Sequence, residues 1–122
     1  LGLEDKINLP VGVLSGGQRQ ALALLMATMT PIELLVLDEH TAALDPKSSE
    51  NVMELTDRII REKKLSAIMV THNLRFAVEY GTRLLMMDKG QCVIDSGADG
   101  KANYKIDDLL HTFNQISVEC GN

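Results

Sequence analysis

Leu34-Leu35-Val36-Leu37-Asp38-Glu39 decides the fold of this 122-residue chain. Four apolar residues in a row, closed by two carboxylates, read as a strand buried on both faces, as strands of a parallel sheet are. Working outward, Ala67-Ile68-Met69-Val70 repeats the pattern and closes in Thr71-His72. Between the two runs, Asp45-Pro46 supplies an N-cap and a first-turn proline. Val52, Leu55, Ile59 and Ile60 then recur at helical spacing to about Lys64, which gives an amphipathic helix packed on the sheet. Strand and helix alternate, so the class is α/β with a mostly parallel sheet.

Upstream, residues 1–14 form a loop that holds Pro10 and two glycines and ends in Leu14-Ser15-Gly16-Gly17-Gln18. Ser15 and Gln18 have the spacing of a capping box, so a helix is predicted from Ser15 to Thr30-Pro31, where the proline disfavours helical geometry in the residue before it. Downstream, Leu74 to Tyr80 makes a short helix stopped by Gly81. Arg83 to Met87 and Gln91 to Asp95 flank Asp88-Lys89-Gly90, a turn that predicts a hairpin and an antiparallel edge to the sheet. A polar loop over 97–103 leads to a last amphipathic helix marked by Ile106, Leu109, Leu110 and Phe113, followed by a frayed tail.

Bulk composition excludes several functions. With 12 basic against 17 acidic residues and a formal charge of -5, the scattered Lys and Arg give no nucleic-acid footprint. Cys92 and Cys120 fit no metal or redox spacing and read as reduced thiols of a cytosolic protein. The longest apolar stretch, Ala21 to Met29, is about half of the roughly 20 residues a membrane helix needs. The chain opens on Leu1 with no signal-like segment, from which we expect a piece of a longer protein.

Four places can carry chemistry. Ser15, Gly16 and Gly17 open a helix whose N-H groups and positive dipole end suit a phosphate, although a plain capping box explains the same residues. Asp38 and Glu39 end a strand, where one carboxylate can hold Mg²⁺ and the next can orient or deprotonate a water; two solvated carboxylates are the bland alternative. His72 ends the second strand, at the carboxyl edge where ligands of open α/β sheets bind, though such a histidine is often structural. Asp45 is accounted for as an N-cap. His40, His111 and the methionines are assigned to packing or surface.

The order of these elements is what discriminates. A Ser-Gly-Gly-Gln turn, an apolar strand ending in Asp-Glu, an Ala-Leu-Asp turn and a strand ending in His together resemble the ATP-binding cassette (ABC) ATPases. Leu14 to Gln18 matches the family's signature motif, and Leu34 to Glu39 its Walker B strand with the catalytic glutamate. Thr41-Ala42-Ala43-Leu44-Asp45 is similar to the D-loop, and His72 falls at the switch histidine. The resemblance covers nearly the whole chain. It implies a partial P-loop NTPase core that binds ATP and Mg²⁺, with residues 1–30 a remnant of the helical subdomain, 31–96 the core, and 97–122 a C-terminal loop and helix. It further implies a dimer with a second ATPase subunit, like or unlike. Leu14, Ser15, Gly16, Gly17 and Gln18 would close on ATP held by the partner, while Asp38 (Mg²⁺), Glu39 (water) and His72 (γ-phosphate) serve the subunit's own ATP. Asp45 would communicate across the dimer. Hydrolysis would drive transmembrane transporter subunits, with a solute-binding protein as a further partner, from the cytoplasmic face of the membrane.

The chain also departs from that pattern. It contains no G-x-x-x-x-G-K-[ST] loop, so the Walker A strand and the phosphate cradle are missing, as is the glutamine loop. In the family's sheet the Walker A strand lies between the strand leading to His72 and the later strand near Arg83 to Met87; its loss would leave a gap and an isolated chain that is marginal, aggregation-prone or dependent on a complementing fragment, without ATPase activity of its own. His40 stands where the family has proline after the glutamate, which implies a less rigid turn. Two other readings remain: the C-terminal lobe of a chromosome-organising or repair ATPase, and a non-catalytic subunit that only donates a signature face. Gln18-Arg19-Gln20 favours the transporter over the first; intact Asp38, Glu39 and His72 weigh against the second.

Overall fold

A computed structural model describes residues 2–97 and 106–119, with side chains in the last segment described for 107–115. Apart from Gly97, the loop expected over 97–103 lies outside the described residues, as does the tail after Glu119. The chain divides into two compact units, one ending at Val70 and one starting at Thr71.

In the first unit, helix α1 (Gly16–Thr28) begins at the expected place because the Ser15–Gln18 capping box forms in full. Its buried residues, Gly17, Ala21, Leu24 and Thr28, repeat every three to four positions and face α2. Strand β1 (Leu34–Asp38), helix α2 (Pro46–Lys63) and strand β2 (Ser66–Val70) follow, and β1 pairs with β2 in parallel from Leu34↔Ser66 to Asp38↔Val70. The core gathers Leu24 from α1, Leu35 and Leu37 from β1 and Ile59 from α2. Burial of each such side chain stabilises the fold by about 1.5–3 kcal/mol. One polar contact within α1 and one from α2 cover the end of α1. The buried Thr28 hydroxyl donates to the Leu24 carbonyl at 2.8 Å, and the Lys63 ammonium of α2 donates to the Thr28 carbonyl at the end of α1.

The strands differ from expectation in one respect. Leu35 and Leu37 are buried, but Leu34 (50% exposed), Val36 (60%), Ile68 (53%) and Val70 (48%) are open, so the sheet is covered on one face only. Strand side chains alternate between faces, and within the first unit helices cover only one of them.

The second unit holds helix α3 (Leu74–Glu79), strands β3 (Leu85–Asp88) and β4 (Gln91–Asp95), and helix α4 (Ile106–Glu119), which packs on α3. β3 and β4 form the expected hairpin through Lys89 (φ 49) and Gly90 (φ 77). Positive φ at both central residues is the two-residue turn whose twist matches the strands it joins, and glycine adopts it at no steric cost. Arg83 and Asp95 lock the open end of the hairpin, with Nε to Oδ1 at 2.9 Å. The described strands therefore make two two-stranded sheets, one parallel and one antiparallel; the expectation was a mostly parallel sheet with an antiparallel edge, interrupted between the strand leading to His72 and the one near Arg83 to Met87. Phe76 and Leu109 are the unit's fully buried anchors, and Phe76 meets Tyr80 edge-on with centroids 5.9 Å apart. Cys92 is an exposed free thiol, and Cys120 lies outside the described residues. No described helix is long and apolar enough to cross a membrane.

Candidate functional site

The first unit brings most of the singled-out residues to the loop between β1 and α2 and to the helix start facing it. At that helix start, the Ser15 hydroxyl accepts from the Gln18 N–H at 3.2 Å, and the Ser15 N–H donates to Gln18 Oε1 at 3.0 Å. Those two bonds are the capping box. They leave the N–H groups of Gly16 and Gly17 without a partner inside the helix, at its positive end.

Both glycines are closely packed. A Cβ on Gly16 would stand 3.1 Å from Leu44 Cδ2, and one on Gly17 would stand 3.1 Å from Ser48 Cβ and 3.3 Å from its hydroxyl. The Ser15–Gln18 turn and the Thr41–Asp45 loop are thus neighbours through Gly16 and Leu44, which are 28 positions apart in sequence yet within van der Waals reach.

Asp38 and Glu39 are exposed at the carboxyl end of β1. Glu39 has φ 49, a left-handed conformation that costs a residue with a side chain about 1–2 kcal/mol, and its N–H donates to the Val70 carbonyl at 2.8 Å. The loop that follows is fastened to α2 at His40, Thr41, Leu44 and Asp45. His40 Nε2 lies 3.1 Å from Thr56 Oγ1, and the Ser49 hydroxyl donates to the Thr41 carbonyl at 3.2 Å and faces that of Leu44 at 3.5 Å. Asp45 caps α2 by accepting from the Ser48 N–H at 3.1 Å. Hydrogen bonds from Ser48, through its side chain and then its backbone, hold the Asp45 carboxyl below its ordinary pKa, whereas burial lowers that of His40.

His72 belongs to the second unit, where it is exposed, two residues past Val70 and one before Asn73. Asn73 caps α3 by accepting from the Phe76 N–H at 3.1 Å, and its own N–H donates to Thr71 Oγ1 at 3.0 Å. Among the described residues no group of three or more His, Cys, Asp or Glu could hold a metal ion by itself. Mg²⁺ needs no such group, because one or two carboxylates with waters and substrate phosphates complete its octahedron. The Asp38 carboxylate fits that requirement as a single protein ligand.

No protein-family profile matches the chain. Individual proteins do. The tyrosine transport ATP-binding protein of Clostridioides difficile is 49% identical over 113 residues, which are 93% of this chain and 45% of that protein. This chain is a homologue of ABC transporter ATP-binding proteins. The same ABC relationship extends to the phosphonates import ATP-binding protein PhnC of Alcaligenes faecalis, 42% identical over 98 residues, 80% of this chain and 36% of the relative. It extends also to the methionine import ATP-binding protein MetN 2 of Bacillus cereus, 37% identical over 97 residues, 80% of this chain and 28% of the relative. The chain thus spans less than half the length of these ABC relatives. They belong to the family that the ordered motifs resemble.

Ser48, Ser49 and Thr56 were not singled out from the sequence, although they hold the loop in place. The signal was present: Ser49 and Thr56 interrupt the apolar stripe of α2 at Val52, Met53 and Ile59, and polar residues on a buried face need partners. His40, assigned to packing or surface, is half-buried and hydrogen-bonded.

Proposed function

We propose that the chain is part of the ATP-hydrolysing subunit of an ABC importer, which couples hydrolysis to uptake of a small solute through transmembrane partner subunits. The observation that carries this is 49% identity along 93% of the chain to a transport ATP-binding protein, with the signature, Walker B, D-loop and switch residues in order. The import names of the other relatives favour uptake over the chromosome-type reading.

In this reading Asp38 holds Mg²⁺ and Glu39 orients and deprotonates the attacking water, with His72 contacting the γ-phosphate. The N–H groups of Gly16 and Gly17, with Leu14, Ser15 and Gln18 around them, close on the ATP of a second subunit, and Asp45 links the two sites. Mg²⁺ bound with ATP supplies the positive charge that offsets charge developing on the transferred phosphoryl group. Residues 1–30 belong to the helical subdomain and 31–96 to the core, and the loop that cradles the phosphates comes from residues this chain does not contain. Two features support the absence of that loop and its strand: the described strands fall into two separate sheets, and the parallel one has an open apolar face. The subunit works at the cytoplasmic face of the membrane, with a solute-binding protein delivering the cargo.

The test is reconstitution of the full-length protein with its membrane subunits in vesicles. ATP-dependent solute uptake accompanied by ATP hydrolysis is expected; an assembly that neither binds nor hydrolyses ATP overturns the proposal.

A further inference from the structure

A hydrogen-bond relay runs from the residue after Glu39 into the core of the first unit. His40 Nε2 lies 3.1 Å from Thr56 Oγ1, and Thr56 Oγ1 donates to the Val52 carbonyl at 2.7 Å. A hydroxyl carries one hydrogen, and here the Val52 carbonyl takes it, so Thr56 accepts from His40. That fixes Nε2 as the nitrogen that bears the proton. Thr56 is 2% exposed and sits on the buried stripe of α2 between Val52 and Ile59, so the relay ends on a rigid element.

Glu39 needs such an anchor. It is a side-chain-bearing residue at φ 49, and a left-handed backbone persists only where its surroundings over-determine it. Its N–H is held by Val70 at 2.8 Å and its carbonyl by the Ala42 N–H at 3.1 Å. Neither bond fixes the residue that follows, and a histidine there lacks the ring constraint of a proline on φ. The imidazole supplies the missing constraint from its far end.

We propose that His40 is a positioning residue: through Thr56 it ties the turn after β1 to α2 and so aims the Glu39 carboxylate at its water. This rests on the reading of Glu39 as the residue that activates water, and it adds a residue and a mechanism which that reading lacks. The expected signature is a loss in turnover without a loss in ATP affinity, since a misaimed base leaves nucleotide binding intact.

The experiment compares ATP hydrolysis by the full-length transporter assembly carrying His40→Asn, His40→Gln, Thr56→Val and Glu39→Gln. The glutamine amide nitrogen reaches the position of Nε2, whereas that of asparagine stops at the position of Nδ1. His40→Asn and Thr56→Val each lower kcat on the order of 10-fold with KM for ATP unchanged, their combination is no worse than either alone, and His40→Gln recovers most of the loss. Turnover at the wild-type rate in His40→Asn, in an assembly that Glu39→Gln inactivates, overturns the positioning role alone. Turnover at the wild-type rate in Glu39→Gln overturns the reading of Glu39 and this inference with it. Nitrogen chemical shifts of His40 in the wild-type protein give an independent readout: the Nε2–H tautomer is expected, and Nδ1–H contradicts the relay irrespective of activity.

Discussion

The two faces of the β1–β2 sheet were indistinguishable in sequence and are opposite in structure. One face packs Leu35 and Leu37 on Leu24 and Ile59; the other leaves Leu34, Val36, Ile68 and Val70 about half exposed. A polar outer face would produce alternation along the strands, as in one-sided sheets. Apart from Ser66 at the start of β2 and Asp38 at the end of β1 these strands are apolar throughout, so their composition suits two covering layers and their structure has one. The difference teaches that composition records the environment a strand is suited to, whereas exposure records the environment at hand.

The sharpest way to break that contrast is a pair of substitutions in the full-length protein. Leu35→Ala on the packed face costs about 2–5 kcal/mol of stability in urea denaturation, from lost burial and the cavity left behind. Val36→Asp costs on the order of 3–5 kcal/mol if residues outside this chain cover the other face in the full-length protein, because a carboxylate would be buried without a partner. If Val36→Asp stays within about 0.5 kcal/mol of wild type, as surface changes do, the face is bare there too and no second layer covers it.

A second comparison sets two glycines of the first unit against each other. Gly17→Ala pushes a methyl group against Ser48 at 3.1 Å and costs about 1–3 kcal/mol through overpacking. Gly12→Ala meets nothing within 4 Å and is neutral or slightly stabilising, because it restricts the unfolded chain. Thermal denaturation of the two variants checks this, and equal effects would mean that α1 does not lie against α2 at Ser48.

The contrast between these positions also shows what sequence can carry. Ser15–Gln18, Asp45-Pro46 and Lys89-Gly90 announced helix starts and a hairpin because caps and turns are local, involving partners two to three residues apart. Asp38-Glu39 and the Ser-Gly-Gly-Gln turn were legible for the same reason. What stayed hidden is non-local. Nothing in spacing links Gly17 to Ser48 or His40 to Thr56, 16 positions away, and nothing in an apolar run says which of its faces is covered.

The smallest expected effect concerns the hairpin of the second unit. The Arg83 guanidinium, with a further hydrogen bond from the Gly97 N–H, holds the Asp95 carboxyl down at about 2 against an ordinary value of 3.8. Because the folded-state value is the lower one, the contribution is complete above the ordinary value and is lost as pH falls through the interval down to about 2. Both side chains are exposed, so the change is slight and screened by salt. Asp95→Asn flattens this part of the pH–stability curve; a curve unchanged by the substitution would mean the pair makes no difference.

The most direct test of the account is the ATP turnover of Glu39→Gln in the full-length transporter assembly, measured beside its ATP binding. We predict a fall in kcat of about 10²- to 10⁴-fold with ATP still bound, as expected for removal of a general base. Wild-type turnover would contradict the account and leave the chain as a donor of a signature face to a competent partner.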